Sequence, residues 1–509
     1  MTIRKYKLLL LFANLYLCLA GLEHIPDSAF AQPVKDNFKT SLLNYPEPAK
    51  ADSINVYGNG LNHPFTSIGR FGDAVLDAFR PGKARHCLVG YQSPDRLLKA
   101  EFNVLAGYEP VFAESLSAFF YKGFSLKSSL GRHWHFNTHW WNGMFFGSQS
   151  EAATSELIDG YNRPSNDRIN LDNLKADLSY NGRNLTLAIG RGKFALGNSF
   201  SGSIILNDQV NDYAYLLAEG RSGDFSLSFM HGSLMADSSY SIYEYPTLNS
   251  KNYPDKYLAI HQLGYNPGDN LKLFLGEAVV YGNRSIDLNY LLPNAFWRAT
   301  EHNLWDRDNV FLFAGTSFSP LERLFLYAQL ALDEFSYRKL NTSWWGNKYA
   351  LQGGMRYELP LAFPDGALPT VGLEFTAVRP FTYTHYLNHA MYSHDGRCLG
   401  YPKGSNLVDL SASAFIPFQD QLSWQSVASY TRQGSFGSAW NQNYYDVFPG
   451  ESLQNGTADW FQGDKAEILA VKSCILIDFL AHHRFLAGFE AEKRGAWNSH
   501  VFAAWQFVY

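Results

Sequence analysis

The sequence has few charged residues, few cysteines and, after its first thirty residues, no long apolar run. Charged residues make up 17% of the 509 residues, against about 25% in a typical soluble domain. The nearest approach to a membrane helix is 474–481, which has eight residues and contains Asp478. A membrane helix needs about 18 apolar residues. The lack of a long apolar run after the N-terminal segment therefore excludes a helical membrane protein.

Other absences exclude further classes. The formal net charge is -5, so no excess of basic residues points to a nucleic acid partner. Of the four cysteines, Cys87, Cys398 and Cys474 follow the N-terminal segment; they allow at most one disulfide and lack metal-site spacing. The motifs G-x-S-x-G and H-E-x-x-H and the phosphate-binding loop are missing. We therefore expect no enzymatic activity, no cofactor and no resident metal.

The first 31 residues have the three parts of a secretory signal peptide. Basic residues precede an apolar run over 8–22, and the pattern A-x-A at 29–31 gives a cleavage site. The alternative, a short membrane anchor, is less favoured because the polar end of the segment finishes at small residues. Residues 1–31 are predicted to be cleaved from an exported chain.

Apolar and polar residues alternate along nearly all of the remaining chain. The dipeptide Asn181-Gly182 favours a two-residue hairpin turn, and both flanks of this turn within 172–192 alternate. The same period recurs over 323–333. Over 124–141, one parity carries the apolar and aromatic residues and the other the polar ones. Since neighbouring strand residues face opposite sides of a sheet, the pattern predicts many strands with one apolar face.

The C-terminus favours a membrane barrel over a soluble sandwich, in which strands alternate too. Val501, Trp505 and Phe507 share one parity with the last residue, Tyr509. A final strand that ends on an aromatic residue resembles the signal recognised by the outer-membrane barrel-assembly machinery, which is therefore an expected partner. Together with the signal peptide and 16% aromatic residues, the pattern predicts a transmembrane antiparallel β-barrel in the outer membrane of a Gram-negative-type cell.

Predicted loop lengths agree with a barrel, in which short turns and long loops alternate between the two ends. Short connections are predicted near 181–184, 220–223, 266–270, 319–322, 361–366 and 418–421, and long ones near 142–171, 192–211, 233–257, 282–308, 336–348, 380–406 and 433–465. This gives seventeen strands from about residue 97. Because bacterial single-chain barrels have even counts, an eighteenth strand is predicted at 83–91, so that the barrel spans 83–509. Residues 32–82 are predicted to form a periplasmic leader with a short helix over 67–79.

Several stretches resemble the capsule-assembly Wzi family of outer-membrane proteins, in the branch that includes gliding-motility-associated members. They are GRGK at 190–193, GSIILND at 202–208, EAVVY at 277–281, LNYLLP at 288–293, DN at 308–309, LDEF at 332–335, PFTYTHY at 380–386 and LGYP at 399–402. The resemblance covers roughly 60–509. It implies an eighteen-stranded barrel whose outer face is a lectin-like attachment point for surface polysaccharide, without catalysis. The better-known capsule members carry a periplasmic helical bundle, whereas only 67–79 has a helical pattern here.

Sugar binding would use aromatic rings that stack on sugar C–H surfaces, flanked by polar side chains that bond hydroxyl groups. The predicted outer loops supply Trp344 and Trp345, then Trp297, Arg298 and Trp305, then Trp440, Tyr444, Tyr445 and Trp460. Aromatic residues near strand ends more often belong to the girdle at the membrane surface. Trp344 and Trp345 are the strongest candidates, because two consecutive residues of a tight loop cannot easily both face lipid.

Histidines and acidic residues offer further candidate sites. His133, His135 and His139 are predicted to face the lumen rather than to bind metal, and His385, His389 and His394 to brace a long loop. Glu301, Asp306 and Asp308 form an acidic group in one loop, for which solvation or Ca²⁺ binding is favoured over glycoside hydrolysis. Glu277 interrupts an apolar parity. A lipid-facing carboxylate is costly, so a local bulge is predicted to turn it inward towards a lumenal Arg.

The residues leave several functions open. The first is polysaccharide binding that helps to attach or assemble capsule or exopolysaccharide. The alternatives are a porin-like solute channel and a surface adhesion or gliding-motility component.

Overall fold

The structure, a computed structural model, describes most of the chain after residue 87. The described ranges are 88–112, 116–147, 161–165, 168–236, 254–268, 270–339, 342–361, 368–419, 422–452, 454–480 and 483–508. The predicted signal peptide, the leader with its helix over 67–79, and the terminal Tyr509 lie outside them.

The described ranges form strands in this order: β1 (Val89–Gln92), β2 (Leu98–Phe112), β3 (Leu116–Leu130), β4 (Trp134–Phe146), β5 (Tyr161–Ser165), β6 (Arg168–Asn181), β7 (Leu185–Gly192), β8 (Tyr213–Ser222), β9 (Phe225–Leu234), β10 (Lys256–Tyr265), β11 (Leu271–Gly282), β12 (Asn309–Leu321), β13 (Leu324–Glu334), β14 (Lys348–Glu358), β15 (Thr370–Val378), β16 (Ser393–His394), β17 (Arg397–Cys398), β18 (Leu407–Gln419), β19 (Leu422–Gly434), β20 (Lys465–Leu480), β21 (His483–Arg494) and β22 (Ala496–Val508). Eighteen of them pair antiparallel in sequence, and β22 pairs with β2, which closes the barrel. The predicted eighteen-stranded barrel is confirmed.

The remaining strands are additions to this barrel. β1 pairs with one end of β2, β5 pairs with β6, and β16 with β17 makes a small hairpin within a loop. The helices are short and lie in loops: Leu288–Leu291, Trp297–Asn303, Tyr337–Lys339, Asn388–Ala390 and Tyr444–Val447. No helix in the described ranges is long and apolar enough to cross a membrane.

The barrel wall is apolar on its outside. On β11, Leu273 and Leu275 are exposed whereas Phe274 between them is buried. On β15, Leu373 and Phe375 are exposed in the same way. Exposed leucines continue on other strands: Leu187, Leu216, Leu263, Leu351, Leu410 and Leu469. Closed strands satisfy their backbone polar groups within the barrel, and an apolar outer wall matches lipid, so the barrel crosses a membrane.

Long connections gather at one end of the barrel, which we call the loop end. They include 193–212, 283–308, 379–406 and the described parts of 335–347 and 435–464, and β9 ends and β10 begins on this side as well. Short turns, such as 182–184 and 223–224, lie at the other end. The predicted alternation of short and long connections is therefore confirmed over this stretch.

Two details of the predicted strand order are wrong. The count of seventeen strands from about residue 97 is one too few, because the chain reverses at 131–133, and the alternating segment 124–141 therefore belongs to two strands, β3 and β4. The predicted opening strand at 83–91 is not a barrel strand. Its described part contributes to β1, which borders only the end of β2, while β2 itself pairs with β22.

An apolar core fills part of the barrel interior. Segments 193–212 and 379–406 supply Ile204, Leu206, Tyr383 and Tyr392, all fully buried against inward-facing residues of β7 to β15. The Tyr383 hydroxyl donates to the Ile204 carbonyl at 2.9 Å, and the Tyr392 hydroxyl donates to the Ile205 carbonyl at 2.7 Å. The two segments thus pack on each other inside the barrel.

Glu374 ties the first of these segments to the wall. It lies between two lipid-facing residues of β15 and therefore faces the lumen. Its carboxylate accepts hydrogen bonds from the backbone N–H groups of Phe200 at 3.1 Å and Ser201 at 3.3 Å, and from the Tyr327 hydroxyl. The chain around Phe200 is held inside the barrel by these bonds.

Candidate functional site

Three long connections meet at the loop end. They are 335–347, 379–406 and 435–464. The Trp345 N–H donates to the Gly456 carbonyl at 3.2 Å, which joins the first to the third. The Phe381 N–H donates to the Gly437 carbonyl at 2.9 Å, which joins the second to the third. Backbone bonds therefore fix the three loops relative to one another.

A group of aromatic rings forms at this junction, and we call it the aromatic platform: Trp344, Trp345, Phe381, Tyr444, Tyr445 and Phe448. Trp345 stacks on Tyr444 with ring centroids 4.5 Å apart and planes 14° apart. Phe381 meets the same tyrosine edge-on at 5.3 Å. Trp345, Phe381 and Tyr444 are buried, so they form the base of the platform.

The rings that reach the surface are Trp344 and Tyr445. Trp344 is half-buried, and the Lys339 ammonium lies 4.5 Å from its ring centroid. Tyr445 is exposed and meets Trp345 edge-on, with centroids 5.7 Å apart. Rigid rings with cationic and hydroxyl groups beside them offer both kinds of contact that a sugar makes.

The phenols of the platform stay protonated at neutral pH. Burial raises the pKa of Tyr444 well above its ordinary value, and the hydroxyl donates to the Glu451 carboxylate at 2.5 Å. Burial also raises the pKa of Tyr445, and the nearby Glu334 carboxylate adds to the rise. Tyr444 thus braces the base, while Tyr445 presents a neutral hydroxyl at the surface.

Sequence reasoning selected four of the platform residues from two loops about one hundred residues apart. The structure brings Trp344, Trp345, Tyr444 and Tyr445 together. Two other residues predicted from the sequence, Trp440 and Trp460, lie at the edges of this region. Trp440 is half-buried against the inner core, and Trp460 lies beside Arg379, whose guanidinium is 5.6 Å from the ring centroid.

Phe381 and Lys339 were missed. Phe381 is completely buried in the base of the platform, and its positive φ of 63° gives it an uncommon backbone conformation. The only sequence signal for it was its place within the stretch 380–386. Lys339 gave no signal, because only the fold brings its ammonium over Trp344.

Trp297, Arg298 and Trp305 lie in a different place, on segment 283–308, which we call the outer cap. Trp297 is completely buried and stacks on His261 with centroids 4.0 Å apart, so neither of its faces is free for a sugar. Arg298 forms an ion pair with Glu301. Trp305 is 90% exposed. Of these three residues, Trp305 alone presents a free aromatic face.

The outer cap covers the outside of the barrel wall. It packs on residues that share the outward parity with the lipid-facing leucines: Phe229, Ala259, Val279, Tyr281 and Val310. Its own contribution to this cluster includes Tyr290 and Trp297, both completely buried. A loop that begins at the loop end thus folds back along the outer surface of β9 to β12.

The predicted inward turn of Glu277 is wrong. The register of β11 with both neighbours continues without a bulge, so Glu277 keeps the outward parity. The outer cap shields it instead. Its carboxylate accepts from the N–H groups of Trp297 at 2.7 Å and Arg298 at 3.1 Å, and it lies 3.0 Å from Nε2 of His261. Its partners come from the cap and the outer wall rather than from a lumenal Arg.

The acidic residues 301, 306 and 308 do not form one group. Asp308 is bound by both terminal nitrogens of Arg284 at 2.8 Å and by the Tyr290 hydroxyl at 2.7 Å. Glu301 and Asp306 lie with His302, and one ligand atom of each falls within 4.8 Å of the others. Burial raises the pKa of Glu301 to about 7. Asp308 thus has structural partners in Arg284 and Tyr290, whereas solvation or Ca²⁺ binding by Glu301 and Asp306 stays a prediction.

Two of the three histidines predicted to face the lumen are placed as expected, but the prediction is wrong for His133, which lies in the turn at 131–133 with its Nδ1 2.8 Å from the Asn181 carbonyl oxygen. His135 and His139 lie on the parity opposite the exposed Trp134 and Phe136, and thus face the lumen. His385 is buried, which lowers its pKa to about 3, and its Nδ1 accepts from the Leu387 N–H.

Another loop histidine is held in the same way, since Nδ1 of His394 accepts from the Met235 N–H at 2.9 Å. Cys398 and Cys474 are buried thiols, and Cys87 lies outside the described residues.

The chain is similar in structure to several known proteins. No protein-family model and no curated protein matches the chain. One similar solved structure is Wzi from Escherichia coli, described as a carbohydrate-binding β-barrel involved in Group 1 capsule assembly. It is 14% identical and has a TM-score of 0.51, over 81% of this chain and 84% of that chain. The chain has the fold of an outer-membrane β-barrel.

Two further solved structures are similar at lower scores. OccK5 (OpdH) of Pseudomonas aeruginosa is 10% identical over 81% of this chain and 97% of that chain, with a TM-score of 0.46. OccAB4 of Acinetobacter baumannii is 9% identical over 82% and 100%, with a TM-score of 0.46. The resemblance to the Wzi family seen in the sequence is confirmed at the level of the fold.

Proposed function

We propose that the protein binds a surface polysaccharide at the aromatic platform and helps to attach or assemble capsule or exopolysaccharide, without catalysis. The observation that carries this proposal is the platform itself. Trp344 and Tyr445 reach the surface from a base of buried rings that backbone bonds between three loops hold in place. Such rings lose little conformational freedom when they stack on a sugar.

A shallow platform suits a polymer. One sugar unit would gain only a modest free energy from two rings, but a repeating chain can occupy many barrels at once, so retention comes from multivalency. The filled interior supports the same proposal, since segments 193–212 and 379–406 occupy space that a wide pore would need. The Wzi fold, in a protein described as carbohydrate-binding, adds support from a distant relative.

The last strand of the barrel has a further proposed role in assembly. β22 closes the barrel against β2. We place recognition by the assembly machinery on this final strand, including Tyr509.

The test replaces the two surface rings. Trp344→Ala/Tyr445→Ala is expected to weaken binding of the purified surface polysaccharide by at least about tenfold, because each lost aromatic contact removes about 1 kcal/mol. Tyr337→Ala is the matched control, since Tyr337 is an aromatic residue of the same loop, 74% exposed and outside the platform. Affinity electrophoresis measures binding, and heat-modifiable migration of the barrel on gels checks folding. Unchanged binding by a folded double variant would contradict the proposal.

A porin-like channel is the second candidate, and one observation favours it. Inward-facing polar residues on β4, β6, β20 and β21 are not fully buried. Asn137 donates to Asp177 at 3.1 Å, and Lys472 lies 3.9 Å from Glu490. Such a polar wall could line a water-filled path on the side away from the apolar core. Ion conductance in planar bilayers, together with no polysaccharide binding, would favour this candidate.

A further inference from the structure

The outer cap has a second apolar face, turned away from the barrel. Its inner face packs on the wall through Tyr290 and Trp297. Five large apolar side chains on its other side are nevertheless exposed: Ile286, Leu288 (74%), Leu292, Phe296 (61%) and Trp305 (90%). A segment of this length with two apolar faces is unusual on a surface that meets water.

Charge is distributed unevenly along the cap. The exposed residues between 285 and 299 are Ser285, Ile286, Leu288, Asn289, Leu292, Asn294, Phe296 and Ala299, and none of them is charged. Exposed charged residues, Asp306 and Arg307, follow at the end of the cap, directly after Trp305. An uncharged apolar stretch that ends in a tryptophan and charges is typical of a chain passing from hydrocarbon to the membrane surface.

The cap is continuous with the lipid-facing wall. On β11 it covers Glu277, and Leu275, two residues along the same face, is 58% exposed. Residues two apart on a strand are about 6–7 Å apart. Across the sheet, covered Val279 aligns through Ala259 and His231 with exposed Leu216 on β8. Lipid-facing side chains thus border the cap on two sides.

We propose that the outer face of the cap is immersed in the acyl chains of the membrane. The cap then replaces part of the wall as the lipid-contacting surface at the loop end. The polar groups beneath it, Glu277 and His261, lie under protein instead of in hydrocarbon.

The test places a photo-crosslinking residue, p-benzoylphenylalanine, at position 288 or 296 of the full chain. The purified barrel is reconstituted in vesicles of phosphatidylethanolamine and phosphatidylglycerol and then irradiated. Position 275 is the lipid-facing control, and position 337 is the control in an exposed loop. We expect lipid adducts at 288 and 296 with a yield similar to that at 275. We expect no lipid adduct at 337. Mass spectrometry identifies the adducts.

A second measurement uses the native residue and guards against a perturbed variant. Brominated phosphatidylcholine in the vesicles should quench tryptophan fluorescence less in Trp305→Phe than in the unchanged chain. Adducts between two copies at 288 or 296 would assign the face to a dimer interface and overturn the proposal. Absence of lipid adducts at both positions, with an adduct at 275, would also overturn it.

Discussion

Replacing Glu277 with alanine is expected to release the outer cap while the barrel stays closed. The side chain accepts two backbone N–H groups at the start of helix Trp297–Asn303, at 2.7 and 3.1 Å. Hydrogen bonds to a charged group contribute about 1.5–3 kcal/mol each, and donors left buried without partners add a cost. Water and small shifts recover part of this loss, so we expect docking of the cap to weaken by about 3 kcal/mol. This corresponds to an increase on the order of 100-fold in the open population.

Limited trypsin digestion of the folded barrel in detergent measures this opening. Arg298 lies within helix Trp297–Asn303 of the cap, and cleavage after it requires this helix to unfold and leave the wall. Glu277→Gln keeps one acceptor oxygen and should give a smaller increase, and Glu374→Gln, on the lumen side, should give none. Cleavage of Glu277→Ala at the unchanged rate, in a barrel that still shows heat-modifiable migration, would refute the anchoring role.

Two further predictions concern pH and the interior. Burial raises the pKa of Glu301 from an ordinary 4.5 to about 7, so the docked cap favours the protonated carboxyl group. The resulting stabilisation of the cap is fully present below pH 4.5 and is lost as pH rises through 7. Hydrogen exchange of the helix amides, corrected for intrinsic rates, should therefore accelerate over that window, and Glu301→Gln should abolish the effect. Glu374→Ala removes the acceptor that holds Phe200 and Ser201 inside the barrel. It should raise single-channel conductance in planar bilayers, and an unchanged conductance would show that the segment is held by other contacts.

Alternation predicted the strands because neighbouring residues of a strand face opposite sides of the wall. The C-terminal strand, the signal peptide and the loop lengths were needed to favour a membrane barrel over a soluble sandwich. The alternation did not show the turn at 131–133, and the reason is geometric. A turn of three residues leaves Leu130 and Trp134 paired and on the same face, so the alternation continues through the reversal. Gly131, with a φ of 64°, was the remaining sign of the turn.

The candidate site was predictable in part. Consecutive tryptophans at 344 and 345 and tyrosines at 444 and 445 stand out in any loop, and the fold does unite them. The position of Trp297 was not predictable, because nothing local tells whether a long loop extends into solvent or folds back on the wall. Glu277 gave the one chemical indication that something shields this part of the wall, because a carboxylate that faces lipid is costly unless other groups bond to it.

The filled interior has a consequence for biogenesis. Residues 199–201 bond to Glu374, and the Ser201 hydroxyl lies 3.2 Å from that of Tyr401, so the contacts join positions up to 200 residues apart. Loop closure over such distances is slow and cannot begin before the later partner exists. Hairpins between neighbouring strands close much shorter loops and are expected to form faster. We therefore expect the inner packing to form last, after β15, which carries Glu374, has joined the wall.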